Sequence, residues 1–361
     1  MEVNIIIPAA GKSSRYNEGK PKWLRTHPNG KLMIEIAISG LVDKFEKVQV
    51  YLITTKEICD RFKVKEILGS LKLYDIKIIE LKDQTHSSVE TLLKAKDFIN
   101  LESDFTIIKD SDNLVELEKY DLKNEYFTVG VDLNKFPVSR IQNKSFLVTN
   151  ELGYVTDFVE KKIISETISV GTHGIKDIKL FYDYVSAIFE MNINAEKYVS
   201  NVISSMIYDG IEFKRIFATG YKDFGTQKEW NEEFILHSTY FIDFDGTLVK
   251  NKGKYGKNNW FNLSETPLEE NLNLIRKLQC RGAEIIITTS RDDSLKNYIE
   301  EFLLKYKIKP KAILCNLNHS PRILINDFAN TNPYPSCSAI SFPRNEKLVK
   351  YFDYELYGLD M

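Results

Sequence analysis

The sequence predicts an α/β protein of two domains. Three observations carry that reading: the length of the chain, an alternation of short apolar runs with amphipathic stretches, and a restart of that alternation late in the sequence. With 361 residues, and about 100 to 200 residues in an ordinary domain, two cores are expected. A hydrophobic fraction of 43% and a charged fraction of 28% match soluble globular proteins and exclude disordered, collagen-like and low-complexity scaffolds.

In the first domain Val3 to Ile7, Val48 to Ile53, Ile76 to Leu81 and Phe105 to Ile108 read as strands. Lys31 to Val42 and Ser88 to Ile99 carry apolar residues three and four apart, the spacing of a helix with one buried face. Strands alternating with helices imply a largely parallel sheet covered on both sides. After a helix over Gln227 to Leu236, the run Tyr240-Phe241-Ile242 opens a second series: helix Glu269 to Leu278, strand Glu284 to Thr288, helix Ser294 to Tyr306 and strand Ile323 to Ile325. Tyr351 to Met361 reads as a surface helix or tail. The boundary falls near His237-Ser238, giving domains 1–237 and 238–361.

Charge and cysteine content narrow the function classes. Lys plus Arg number 49 against 51 Asp plus Glu, a net charge of -2, which argues against a nucleic-acid partner. Cys59, Cys280, Cys315 and Cys337 form no CxxC pair, so neither a disulfide framework nor a zinc site is expected, and a reducing cytoplasm is the expected setting. No basic segment followed by a long apolar stretch opens the chain, so no signal peptide is expected. No run of about 18 apolar residues suggests a membrane span.

Past the first strand, Pro8-Ala9-Ala10-Gly11-Lys12-Ser13-Ser14-Arg15 is a turn of small residues that lets backbone N–H groups approach a phosphate, with Lys12 and Arg15 adding charge. Taken alone it reads equally well as an ordinary strand-to-loop turn. Lys20-Pro21-Lys22 adds cations on a stiffened segment. The run Phe105 to Ile108 ends in Lys109-Asp110-Ser111-Asp112, placing carboxylates where open α/β sheets bind ligands. Hard oxygens there suit Mg²⁺, and a self-capped turn is the plainer alternative. Glu160-Lys161-Lys162 and Asp223-Phe224-Gly225-Thr226 follow.

In this order the motifs resemble the nucleotidylyltransferase family of the glycosyltransferase-A-like fold, over roughly residues 1 to 235. The resemblance implies that Ala10, Gly11, Lys12, Ser13, Ser14 and Arg15 cradle a nucleoside triphosphate together with Lys22, and that Ser87 and Ser88, in Gln84-Thr85-His86-Ser87-Ser88, lie where the base is read. It implies Mg²⁺ on Asp110 and Asp223, with Asp112 either a second ligand or one step behind it. Lys161, followed by Ser169-Val170-Gly171, is expected to hold the acceptor phosphate. The implied reaction is attack by a phosphorylated sugar or alcohol on the α-phosphorus, with pyrophosphate leaving. Arg15, Lys22 and Lys161 are its catalytic cations. CTP stands slightly ahead of UTP and GTP on the form of Ala9 to Arg15, and all three stay open.

The most specific motif comes later: Phe241-Ile242-Asp243-Phe244-Asp245-Gly246-Thr247-Leu248. It resembles the haloacid dehalogenase superfamily of phosphatases. That resemblance implies a Rossmann-like fold in which Asp243 is the nucleophile, Asp245 protonates the leaving oxygen, and Thr289, in Thr288-Thr289-Ser290-Arg291, binds the phosphoryl group. Asp243, Asp245 and Asp327 are then its Mg²⁺ ligands. The superfamily's lysine before the last strand is missing from Cys315 to Arg322, leaving Arg322, Lys311 or Lys309 as stand-ins, and His319 as a substrate contact or a solvated loop residue. About 40 residues separate Leu248 from Thr289, too few for an inserted cap domain. A capless site must take a large substrate or be closed by the first domain or another subunit, so a homo-oligomer stays open. The whole reads as a bifunctional enzyme of activated-sugar or phospho-alcohol metabolism, feeding a surface polysaccharide. The alternative is a nucleotidylyltransferase whose C-terminal half is a binding or assembly module.

Overall fold

The first strand, Glu2–Pro8 (β1), is buried from Val3 through Ile7, and its alternation splits it between two cores: Val3, Ile5 and Ile7 pack on one face, Ile6 on the other. The computed structural model describes residues 2–12, 19–71, 75–118, 125–136, 138, 141–191, 197–327 and 336–353. By contacts the chain divides into two units, the second starting at Lys228. The division falls at the start of the helix Gln227–Leu236, whereas the sequence reading set it after that helix.

In the N-terminal unit the strands after β1 are Lys47–Thr55 (β2), Ile76–Leu81 (β3), Phe105–Lys109 (β4), Asn113–Glu116 (β5), Tyr126–Asp132 (β6), Ser145–Thr149 (β7), Tyr154–Glu160 (β8), Thr167–Ile175 (β9), Phe213–Phe217 (β10) and Gly220–Asp223 (β11). Together with β1, eight of them form one nine-stranded sheet in the order β3-β2-β1-β4-β9-β6-β10-β8-β7. The expected parallel order holds as a continuous run from β3 to β4 and returns in the β6–β10 pair. There the helices Met33–Val42 and Ser88–Ala95 lie between strands in the chain and supply the crossovers that parallel pairing requires. Beyond β4 the sheet turns mixed: β9 runs antiparallel to β4 and β6, and β7 to β8. The β7–β8 link is a tight turn in which Asn150 Oδ1 accepts from Leu152 N at 3.1 Å and Tyr154 N at 3.0 Å, which permits only a hairpin.

A separate two-stranded sheet joins β11 to β5 antiparallel, with Asp223 opposite Asn113. This small ribbon brings the Asp223 segment back to the end of β4.

In the C-terminal unit Thr239–Asp243 (β12), Glu284–Thr288 (β13) and Ala312–Leu314 (β14) form an all-parallel sheet. The helices Glu269–Cys280 and Lys296–Lys305 provide the crossovers, and Phe244, Leu272, Ile285, Ile287 and Ile299 fill the core. The expected strand Ile323 to Ile325 is not formed: its residues are 80%, 48% and 94% exposed. Apolar content marks a strand only where an edge takes up its backbone groups, and this run pairs with no described strand. Part of the expected C-terminal helix or tail, 354–361, lies outside the described residues. Among the described residues no helix is long and apolar enough to cross a membrane.

Candidate active site

The end of β1 runs into Ala9 and Ala10, and backbone bonds fix their path: Ala9 N donates to Ile53 O at 2.8 Å and Thr85 N to Ala10 O at 3.2 Å. Gly11 bridges to Thr85. The segment expected to cradle phosphate thus lies beside the segment expected to read the base. Ser87 is the N-cap of the helix Ser88–Ala95, its hydroxyl accepting from Glu90 N at 3.1 Å. Lys12 is exposed. Ser13, Ser14 and Arg15 lie outside the described residues.

The acidic turn after β4 carries the densest chemistry. Asp110 N donates to Gly171 O at 2.8 Å. Gly171 has φ +59, and a Cβ placed there would stand 1.9 Å from Asp110 Oδ2, so the missing side chain is the room that the carboxylate occupies. Asp112 is buried and pairs with Lys22 at 2.5 Å. Asp223 ends β11, accepts from Gly225 N at 2.9 Å and pairs with Lys144. Asp110, Asp112 and Asp223 are not all within 4.8 Å of one another. The donor set, carboxylates on neighbouring strand ends with a cradle cleared for one of them, suits a cation that binds one or two carboxylates and leaves its other positions to substrate phosphates, as Mg²⁺ does.

Lys161 sits at φ 57, exposed, with Nζ donating to Tyr198 Oη at 3.0 Å. Its backbone N donates to Lys144 O at 2.9 Å, so the expected acceptor-phosphate lysine and the lysine on Asp223 are neighbours across the β7–β8 hairpin. Sequence reasoning missed Lys144, which no motif marks. It also missed Lys109, which is fully buried and whose pKa burial pulls down to about 8 against the opposing pull of Asp110 and Asp112. The available signal was a lysine at the end of an otherwise buried strand.

In the C-terminal unit, the ends of β12, β13 and β14 converge. Asp243 is opposite Thr288, Phe244 N donates to Thr288 O at 3.1 Å, and Thr289 N to Leu314 O at 2.9 Å. Thr289 Oγ1 donates to Asp245 Oδ2 at 3.3 Å. Desolvation at the strand ends and the neighbouring Asp245 push the Asp243 carboxyl up to about 6, against the counter-pull of Arg322 and Arg344, while the residue stays partly open to solvent.

Asp245 is held by Arg291, whose Nη2 lies 2.7 Å from Oδ1 and Nε 2.9 Å from Oδ2. The same guanidinium, with no exposed surface, binds the buried Glu265 at 2.8 Å and lies over the Phe244 ring at 4.8 Å. Neither Glu265 nor Arg344 was singled out in the sequence. Lys311 pairs with Glu284 and its backbone N donates to Ile285 O at 2.7 Å, at the far end of β13 from Asp243, and Lys309 precedes it, so these lysines are remote from the expected nucleophile. His319 stacks on Trp260 with ring centroids 5.6 Å apart. Asp327 lies in the exposed segment outside the sheet.

No protein-family model matches the chain. Among curated proteins, the bifunctional protein GlmU of Francisella tularensis subsp. holarctica (strain OSU18) is 27% identical over 216 residues, which is 56% of this chain and 44% of the relative. The chain therefore spans less than half the length of that protein. Solved structures resemble the fold more widely. A nucleoside-diphosphate-sugar pyrophosphorylase from Vibrio cholerae RC9 matches with TM-score 0.53 and 17% identity over 63% of this chain and 98% of its own. The inositol-1-phosphate CTP transferase from T. maritima gives 0.50 and 14% over 63% and 91%. A UDP-glucose pyrophosphorylase complexed with UDP-glucose gives 0.51 and 14% over 64% and 97%. These likenesses show a nucleotidyltransferase fold. The share they cover is larger than the C-terminal unit, so it extends into the N-terminal one.

Proposed function

We propose that the N-terminal unit transfers a nucleotidyl group from a nucleoside triphosphate to a phosphorylated sugar or alcohol, releasing pyrophosphate. The observation that carries this reading is the Asp110 carboxylate in its Gly171 cradle at the end of β4, next to the strand β1 that leads into the Ala10–Lys12 turn, with Lys22 paired to Asp112 and Asp223 brought opposite Asn113 by the β5–β11 ribbon. The nucleotidyltransferase fold supports it.

Both reactants are anions, so charge neutralisation and in-line positioning dominate the barrier. Lys12 and Lys22 draw in the triphosphate, with Lys22 exchanging Asp112 for a phosphate oxygen. Lys161, on a left-handed residue that leaves its side chain exposed, takes the acceptor phosphate. A divalent cation held by Asp110 and Asp223 would neutralise the charge that builds up on the phosphates. Lys144 covers Asp223 until then. The preference for CTP over UTP and GTP rests on the form of Ala9 to Arg15. A screen for pyrophosphate release, with each of the common nucleoside triphosphates against sugar 1-phosphates and phospho-alcohols, tests the reading. Release in no combination would refute it.

For the C-terminal unit we propose phosphoryl chemistry at Asp243, through an aspartyl-phosphate, with Thr289 binding the transferred group and Mg²⁺ as the counter-charge. A second reading, a module that binds a phosphorylated ligand without turning it over, is favoured by two features. Asp245, the expected proton donor, is held as an acceptor by the forked Arg291 contact, and the Asp327 segment stands apart from the sheet. Beryllofluoride binding together with turnover of a phosphomonoester would support the first, and binding without turnover the second.

A further inference from the structure

We propose that Lys109 is a positioning residue: an internal ammonium that fixes the acidic turn after β4 and, through Asn113, the strand ending in Asp223, so that the two carboxylates are aligned before metal or nucleotide arrives. The inference deepens the nucleotidyl-transfer reading and rests on it.

A lysine with no exposed surface has lost its hydration, and such a charge survives only where fixed acceptors replace water. Packing alone would be met by Met or Leu in the same space. The Lys109 ammonium has three protons and meets three acceptors: Asp110 O at 2.8 Å, Asn113 O at 3.2 Å and Asn113 Oδ1. All belong to the turn itself, and none is a carboxylate.

Asn113 passes the constraint on. Its Nδ2 donates to Val170 O at 3.0 Å, one residue before the glycine that houses the Asp110 carboxylate, and its backbone stands opposite Asp223 in the β5–β11 ribbon. Lys109 therefore sits where the turn, β9 and β11 meet. Without it, the carbonyl oxygens of Asp110 and Asn113 would face each other unscreened, close to the charges of Asp110 and Asp112.

The neighbouring cations have a different character. Lys22 and Lys144 bind carboxylates from partly open positions, with side chains 19% and 22% exposed, so they can leave for substrate phosphates. Lys109 is enclosed and stays. The division is between cations that exchange partners during the reaction and one that keeps the ligands in register.

Mn²⁺ binding to the full-length chain, followed by electron paramagnetic resonance, tests this together with kcat, KM and Tm. Replacing outer partners of metal ligands typically costs about 10- to 100-fold in metal affinity. Lys109→Met is expected to weaken Mn²⁺ binding by about tenfold or more and to lower kcat, with the KM for the acceptor little changed. Asn113→Ala, which keeps the lysine and removes the link to Val170, is expected to do the same. A lysine acting through charge alone would repel the metal, and its removal would tighten Mn²⁺ binding. That result overturns the proposal, as does unchanged affinity with only a lower Tm. If Lys109→Met does not fold, normal Mn²⁺ affinity in Asn113→Ala is sufficient to overturn it. Asp223→Ala separates the two levels: wild-type affinity in that variant refutes the metal site itself, whereas loss there with normal affinity in Lys109→Met and Asn113→Ala refutes only the role of Lys109.

Discussion

Gly171→Ala should disable the N-terminal site while leaving the fold intact. Two costs act at this position. An L-residue at φ +59 carries roughly 1–2 kcal/mol of backbone strain, and the new methyl would lie 1.9 Å from Asp110 Oδ2 and 2.2 Å from Cγ. The carboxylate must therefore swing away from the position it now holds. Strain alone should lower Tm by a few degrees, since about 1 kcal/mol shifts a unit of this size by about 2–4 °C. Displacing a preorganised charged group typically costs about 10² to 10³ in rate. Gly153→Ala is the control: φ is +83 and nothing stands within 4 Å of its Cβ position, so it should lose similar stability and keep its rate. The assay is initial-rate pyrophosphate release beside thermal unfolding of both variants. If Gly171→Ala keeps a rate within about twofold of wild type while its Tm falls like that of Gly153→Ala, the cradle for Asp110 has no part in the reaction, against the expected loss of about 10² or more.

Lys22→Ala and Asp223→Ala should each lower pyrophosphate release by about 10² to 10³ without unfolding the chain, and near-normal turnover in either would remove that residue from the site. Burial and the nearby Lys109 hold His173 down at about 3, so above that pH the folded chain keeps the ring neutral, whereas the unfolded chain takes up a proton near 6.5. Stability should therefore be complete above about pH 6.5 and fall as pH drops toward about 3, by an order of a few kcal/mol. Denaturant melts across that range should show the loss, and His173→Gln should flatten it. In the C-terminal unit, Asp243→Asn should abolish phosphomonoester hydrolysis and spare nucleotidyl transfer. Arg322→Ala should weaken beryllofluoride binding while Lys311→Ala, at the other end of β13, should not, and equal effects would show that proximity to Asp243 does not matter.

What the sequence revealed and what it concealed follow from the range of the interactions. The strands Ile76–Leu81 and Glu284–Thr288 and the helix Gln227–Leu236 match their expected bounds, because each is marked by its own period of apolar residues. The mixed half of the sheet was not legible: β9 is buried on both faces between two antiparallel neighbours, a property of its partners. Likewise Asp110 and Asp223 stand in short motifs that a family resemblance singles out, whereas Gly171 looked like part of an acceptor-phosphate segment until its approach to Asp110 was visible. Lys144 and Glu265 reach residues far along the chain, and no local pattern marks them. Ile323 to Ile325 misled for the converse reason: its apolar composition fits a strand, and the strand lacks an edge to join.

The central claim is that the N-terminal unit moves a nucleotidyl group onto a phosphorylated acceptor, and following the α-phosphate tests it most directly. With α-³²P-labelled nucleoside triphosphate, Mg²⁺ and a productive acceptor, the label should appear in a diphosphate-bridged product in step with unlabelled pyrophosphate, and both should fall by about 10² or more in Asp223→Ala. Label recovered only as free nucleoside monophosphate, or transfer that persists at a near-normal rate in Asp223→Ala, would contradict the account.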